Sequence, residues 1–377
     1  MRFHILGLAH IQTKKEIAPC AYTQKIYKLC QMLKDLKNEV IFYGVEGSKV
    51  KCDKFVSCLS TKDWKKQFGD YNWRKEQFDT GEGKGEAWQK FRLSAAQNLQ
   101  RNIKPKDFVL CSMGCWHQPI VEKVKGKFLT VESGIGYSGI FAKFKVFESY
   151  AWMHYLYGTM KLARGLLYDT VIPNYYDPKD FKYSQDKDDY CLFIGRLVYQ
   201  KGVDIAVDVC RLTGNKLIVA GQTTPETNAK WIKSKHVEYV GVVDHKERSR
   251  LMANAKCVFV PTYYIEPFGG VNVEAQLCGT PVITTDFGVF SETVLQGVTG
   301  YRCATLAEFK WAVENVHKLN PMDCRTWAIQ NYSMDVIGKR YQHYFERLYD
   351  LWDTPGWPYI RKTDLDCRRI RLPNDEC

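Results

Sequence analysis

Two doubly wound α/β domains are the fold class this sequence predicts, and three observations predict it. Short apolar runs alternate with helix-period segments along most of the chain, the order that winds a parallel sheet. The chain opens on such a unit: Phe3–Leu8 reads as a strand, and apolar positions at Tyr22, Ile26, Leu29, Cys30, Leu33 and Leu36 mark a helix before the strand Val40–Tyr43. At 377 residues the chain is long enough for two domains of ordinary size.

Composition narrows the class further. An apolar content of 45% is globular, and no run of eighteen apolar residues suggests a membrane span. The N-terminal stretch reads as a first strand and not as a leader. The 14 cysteines include no C-x2-C pair, and the closest, Cys111 and Cys115, are four apart. They read as reduced thiols in a cytoplasmic protein, not as a disulfide frame or a zinc site. Residues 1–175 hold 28 Lys+Arg against 16 Asp+Glu, so the whole formal +12 lies in that half. Such asymmetry fits either an anionic partner or a solubility surface.

The elements follow in order. A polar loop, His10–Pro19, joins the first strand to its helix. Residues 60–92 are less regular: Trp64, Phe68, Tyr71, Trp73, Phe78, Trp88 and Phe91 alternate with Lys62, Lys65, Lys66, Arg74, Lys75, Lys84, Lys90 and Arg92. Aromatic faces among cations stack on bases or sugars. The same aromatics also serve to pin down a long excursion, which fits most of them better. Gly81–Gly85 reads as a mobile tip. The strand Phe108–Cys111 then runs into a loop carrying Trp116 and His117, at the carboxyl edge of the sheet. Leu129–Glu132 ends at glycines that do not spell G-x-G-x-x-G, so no dinucleotide fingerprint is present. Glu132 is a candidate for orienting an acceptor hydroxyl, with loop capping as the plainer role.

In the second half, Tyr190–Ile194, Lys216–Ala220, Val237–Val240, Cys257–Pro261 and Pro281–Thr284 read as strands, and Met334–Trp352 as the final helix. Two segments stand at strand ends. In the first, Gly195-Arg196 is followed five residues later by Lys201-Gly202, a pair of cations beside a helix start that suits a diphosphate. In the second, Ile265-Glu266-Pro267-Phe268-Gly269-Gly270-Val271-Asn272-Val273-Glu274 gives a Gly-rich helix entry with free N–H groups for an anion. Glu266 stands beside that entry, placed for polar hydroxyls, and Glu274 lies on the helix, placed for a diol such as ribose. Asp186-Lys187-Asp188 lies in a polar loop and reads as solvated.

These two segments resemble the G-R-x4-K-G and E-x7-E motifs of family-4 retaining glycosyltransferases of the GT-B fold. Val171-Ile172-Pro173-Asn174-Tyr175-Tyr176-Asp177 is similar to the interdomain linker of that family. The resemblance implies two Rossmann-like domains facing a central cleft. Residues 1–173 would present the acceptor and 174–334 bind the nucleotide sugar, while 335–377 would form a crossover helix and basic tail on the first domain. It implies that Arg196 and Lys201 hold the donor diphosphate, with Gly195, Gly269, Gly270 and Val271 beside it. Glu266 would meet the sugar, Glu274 the ribose, and Gly241 and Val242 the base; Phe268 completes the donor set. His117, in an H-x-P setting, resembles the family's donor-sugar histidine and joins Glu266, Arg196 and Lys201 as a catalytic candidate. The family's Gly-Gly pair in the first loop is replaced by Ala18-Pro19-Cys20-Ala21-Tyr22-Thr23, which puts that loop's donor contact in doubt.

The function implied is transfer of a sugar from a nucleoside-diphosphate sugar, with retention and with no metal or other cofactor, since cations take the metal's place. The acceptor-side candidates are Glu132, Trp116, Lys65, Lys66, Trp73, Arg74 and Lys75. Their charge favours a modified base in nucleic acid as acceptor. The alternatives are a free or lipid-linked saccharide, with peripheral membrane contact. Lys143–Tyr157 comes nearest to a membrane-surface helix, but its aromatics fall on several faces. A non-catalytic nucleotide-sugar-binding module would keep Arg196 and Lys201 and lose Glu266 and His117. Epimerisation or phosphorolysis on the same frame would be separated by its products.

Overall fold

The computed structural model describes residues 1–17, 20–70, 80–163, 168–223 and 231–353. The chain divides into two compact units, Met1–Pro173 with Ile337–Cys377, and Asn174–Val336. Each is a parallel sheet between helices.

The first sheet has seven strands: β1 (Arg2–Leu6), β2 (Glu39–Val45), β3 (Lys54–Leu59), β4 (Phe108–Cys111), β5 (Leu129–Ile135), β6 (Phe144–Phe147) and β7 (Thr170–Val171). Their order across the sheet is β3-β2-β1-β4-β5-β6-β7, every pair parallel. β1 therefore lies between β2 and β4, and the winding reverses there. β4 and β6 are buried along their whole length, as central strands covered on both faces must be. On one face Phe3 and Phe108 pack with Phe345 of the helix Met334–Asp353, at centroid distances of 4.8–5.1 Å. On the other, Trp88 and Phe91 of the helix Glu86–Asn102 fill a core with Leu6, Ile41 and Val109.

Residues 60–70 and 80–92 are more regular than their sequence suggests. Thr61–Phe68 is a helix capped by Ser60, and Glu86 starts the next. Thr80–Gly85 is held down: Trp88 Nε1 donates to the Thr80 carbonyl at 2.8 Å, and Gln67 Nε2 to that of Lys84 at 2.9 Å. Gly83 is buried in a tight turn, so Gly81–Gly85 is an anchored corner and not a loose tip. The pattern is hard to read because Trp64 and Phe68 belong to one helix, of 8 residues, and Trp88 and Phe91 to another, of 17, with different phases. Lys143–Tyr157 likewise divides, into β6 and a helix Tyr150–Thr159 capped by Ser149.

The second sheet has six strands: β8 (Cys191–Ile194), β9 (Leu217–Ala220), β10 (Val237–Gly241), β11 (Cys257–Val260), β12 (Val282–Thr285) and β13 (Gly300–Cys303). Its order is β10-β9-β8-β11-β12-β13, again parallel throughout. The winding reverses between β8 and β11, which is where ligands enter open α/β sheets. β13 is missing from the strands expected, because Gly300 opens it directly after the turn at Gly297.

Candidate active site

The loops that leave β8 and β11 meet at the reversal point of the second sheet. After β8 the chain makes a short 3-10 turn, Tyr199–Lys201, and reaches Gly202 at φ +69°. A Cβ on Gly202 would stand 2.2 Å from the Pro261 carbonyl oxygen, just past the end of β11. Only glycine allows the left-handed turn and the close approach together. Tyr263 N–H donates to the Gln200 carbonyl at 3.1 Å and locks the two loops side by side.

That locking brings Lys201 to Glu266. The Lys201 Nζ lies 2.5 Å from Glu266 Oε2, with 19% and 13% of the side chains exposed, and 5.0 Å from the centre of the Tyr264 ring. Arg196 is exposed and has no ion-pair partner among the described residues. Gly269 takes the left-handed conformation that opens the helix Gly270–Leu277, whose first N–H groups are unpaired within the helix. Asn272 and Gln276 fix that helix from behind: Asn272 Nδ2 donates to Thr293 Oγ1 at 2.9 Å, and Gln276 Nε2 to the Thr293 carbonyl at 3.0 Å. Lys201 stands on the same loop as Arg196 and shares one corner with the Glu266 carboxylate and one helix N-terminus. Its chemistry suits an anion that carries hydroxyl groups.

The other donor candidates fall into two kinds. Gly241 ends β10 and Val242 follows it, Val242 is exposed, and the Gly241 carbonyl accepts from Gly221 N–H at 2.8 Å. Gly195 and Val271 are half-buried at the ends of β8 and the start of the helix. Phe268 departs from expectation. It is 3% exposed and packs against Tyr176 and Tyr332 at 6.4 and 5.7 Å, so it supports the Gly269 turn from below. Glu274, expected to be open to a ribose, is ion-paired with Arg248. Sequence reading missed Arg248 and Thr293, which lie in no motif with a characteristic spacing, and gave no role to Asn272, which stands inside the second motif but turns toward Thr293.

In the first unit His117 lies inside the fold. It is fully buried; Nε2 lies 2.9 Å from the Gly7 carbonyl oxygen, and Nδ1 accepts the Ser112 N–H at 3.3 Å. Nδ1 as acceptor leaves the proton on Nε2, which donates to Gly7. Burial pulls the imidazole down to about 4 against the Gly7 bond, which favours the charged form. His117 ties the loop after β1 to the loop after β4, and both ring nitrogens are engaged in doing so. An H-x-P pattern shows the turn but not which way the ring points.

Glu132 takes the plainer of its two roles. Its Oε2 accepts the N–H groups of Phe141 and Ala142, both at 2.8 Å, and its Oε1 the Tyr137 hydroxyl at 3.2 Å. Trp116 packs edge-on against Trp88 at 5.2 Å and lies over Gly83. Lys65 pairs with Asp70 at 2.5 Å and Lys66 with Glu86 at 2.9 Å. Trp73, Arg74 and Lys75 lie outside the described residues, as do Ala18 and Pro19 of the first loop.

Residues 177–329 match the family model of the glycosyl transferases group 1. The match lies within the second unit and covers the segments around Gly195–Gly202 and Glu266–Glu274. Glycogen synthase of Mycobacterium tuberculosis is 37% identical over 126 residues, which is 30% of this chain and 30% of that protein. D-inositol 3-phosphate glycosyltransferase of Mycobacterium bovis is 32% identical over 131 residues, 32% of this chain and 27% of that protein. The chain thus spans about a third of the length of these curated relatives. Solved structures extend the likeness in fold to nearly the whole chain. Sucrose-phosphate synthase of Thermosynechococcus elongatus superposes with a TM-score of 0.69 at 16% identity, over 93% of this chain and 99% of that one. The Anabaena protein HepE, solved with UDP and glucose, gives 0.64 at 15% identity over 92% and 100%. The chain therefore has the two-domain α/β architecture called GT-B.

Among the described residues every cysteine is a free thiol, and no helix is long and apolar enough to cross a membrane.

Proposed function

We propose that this protein moves a sugar, with retention of configuration, from a nucleoside-diphosphate sugar to a hydroxyl acceptor. The observation that carries the reading is the Lys201–Glu266 contact beside Arg196 and the Gly269–Gly270 helix entry. The bond from the anomeric carbon to the diphosphate oxygen breaks, and the bond from that carbon to the acceptor oxygen forms on the same face. Negative charge grows on the departing diphosphate, which Arg196, Lys201 and the helix N–H groups are suited to stabilise. The acceptor proton leaves with the diphosphate oxygen. These cations supply the charge that a divalent metal would otherwise bring, so the transfer is metal-independent. A uridine nucleotide is the donor of choice, on the likeness to the neighbour solved with UDP and glucose.

The acceptor favoured is now a saccharide hydroxyl. The nucleic-acid expectation rested on aromatics and cations in residues 60–92. There Trp88 and Phe91 are core, while Lys65, Lys66 and Lys90 are each held by a neighbouring carboxylate. The relatives named glycogen synthase and sucrose-phosphate synthase support the same choice. The test is incubation of a panel of nucleotide sugars with glucans, disaccharides and single-stranded DNA, with the product's anomeric configuration read by NMR. An α-linked product from an α-donor on a sugar acceptor is expected. An inverted product sinks the retaining reading, label in the DNA gives the acceptor back to nucleic acid, and nucleotide binding without turnover leaves a binding module.

A further inference from the structure

Glu274 does not stand alone at the nucleotide side of the site. Arg248 Nη2 is ion-paired with Glu274 Oε2, both side chains mostly buried at 27% and 16% exposure. Arg248 lies one turn into the helix His245–Asn254, which starts directly after β10 and the Gly241–Val242 loop. Asp244 caps that helix by accepting the Glu247 N–H at 3.0 Å, and the Arg248 N–H donates to the Asp244 carbonyl at 2.8 Å. The arginine is thus anchored to the end of the loop from which a base would be read. Its partner lies on the helix that Gly269 opens, where the diphosphate would sit. One ion pair joins the two.

The neighbouring charges show that the pairing is selective. Arg250, two residues on, is occupied by Glu247, at 2.6 and 2.8 Å. Asn272 and Gln276 turn away from Glu274 and toward Thr293. A carboxylate has about four lone-pair sites, so one contact on Oε2 leaves capacity for hydroxyl donors. A planar guanidinium fixes the plane of its partner where a flexible ammonium would not.

We infer that Arg248 is a positioning residue for the nucleoside: by holding one oxygen of Glu274 it aims the carboxylate at the ribose diol, and so sets a preference for ribonucleotide donors. The inference rests on the donor reading above. The ribose hydroxyls are then bound only when the base loop and the Gly269 helix are in register.

The experiment compares Kd for UDP or GDP, whichever binds more tightly, with Kd for its 2′,3′-dideoxy analogue. The unsubstituted protein, Glu274→Gln, Arg248→Gln and Arg248→Lys are measured, each beside a thermal melt. The unsubstituted protein should prefer the ribonucleotide by about tenfold or more, the worth of a hydrogen bond to a charged group. Glu274→Gln and Arg248→Gln should both lose most of that preference while keeping affinity for the dideoxy compound, and Arg248→Lys should recover part of it. A merely structural arginine would weaken both ligands alike. Full preference in folded Arg248→Gln, with loss in Glu274→Gln, overturns the inference and leaves the donor reading intact. If Arg248→Gln does not fold, undiminished preference in Arg248→Lys together with weakened binding of both ligands overturns it instead. No binding of either nucleotide to the unsubstituted protein removes the donor reading and this inference with it.

Discussion

Lys201 Nζ and Glu266 Oε2 lie 2.5 Å apart, so the cation assigned to a diphosphate and the carboxylate assigned to a sugar are one ion pair before any donor arrives. A bound diphosphate must share Lys201 with Glu266. The two residues therefore respond differently to substitution. Lys201→Ala should weaken UDP binding by about 1.5–3 kcal/mol, the range for hydrogen bonds to charged groups. Glu266→Gln should keep UDP affinity, or raise it, because Lys201 is released to the phosphate, while turnover falls. Calorimetric titration beside a transfer assay reads both. Unchanged affinity in Lys201→Ala would detach this lysine from the diphosphate.

Arg196 is expected to act on ligand alone. It is exposed and unpaired among the described residues, so Arg196→Ala should leave the melting temperature within about 1 °C, as surface substitutions do. UDP affinity should drop by about 1.5–3 kcal/mol, and less so as salt is raised. A variant that melts early but binds normally would make the arginine a structural one.

His117 should make the first unit acid-sensitive. The folded imidazole is held at about 4, below its ordinary 6.5, so the unfolded chain takes up a proton first as pH falls. Stability from this group is complete above pH 6.5 and is lost between 6.5 and 4, by about 3 kcal/mol in all. Denaturant unfolding of the parent protein and of His117→Asn at pH 7, 5.5 and 4.5 gives the comparison. Their difference in stability should shrink toward acid. Parallel pH profiles would show that the buried ring is not what titrates.

Transfer should survive chelation. If Arg196, Lys201 and the Gly269–Gly270 amides neutralise the leaving group, excess EDTA should change the initial rate by less than about twofold, a shift well under one kcal/mol in barrier. Loss of activity on chelation, restored by manganese or magnesium, would return Asp186 and Asp188 to consideration.

What could be read from the sequence follows a physical divide. The second unit was legible because its site is built from backbone events that force residue types: Gly202 and Gly269 take positive φ, and the cations and carboxylate stand at fixed offsets from them. The strands were legible where burial on both faces makes a continuous apolar run, as in β4, β8 and β11. Side-chain direction was not. The settings of His117 and Glu132 suggested a site, yet in the fold His117 Nε2 meets the Gly7 carbonyl, 110 positions away, and Glu132 Oε2 meets the N–H groups of Phe141 and Ala142 in the loop that follows its own strand. No local pattern records that Gly7 or Phe141 is the partner. The same holds for Phe268, whose position in the motif gives its order but not its burial beneath Tyr176 and Tyr332.

The 2.2 Å that separates a hypothetical Gly202 Cβ from the Pro261 carbonyl has a consequence for redesign. The stretch from Gly195 to Gly202 and the stretch from Pro261 to Glu266 fit like two teeth of one gear, with no slack between them. Exchanging either stretch with that of a relative, to alter the donor proposed above, would leave the remaining one meshed against a foreign surface. Libraries should therefore swap both stretches from a single parent, and chimaeras cut between β8 and β11 should lose expression before they gain a new donor.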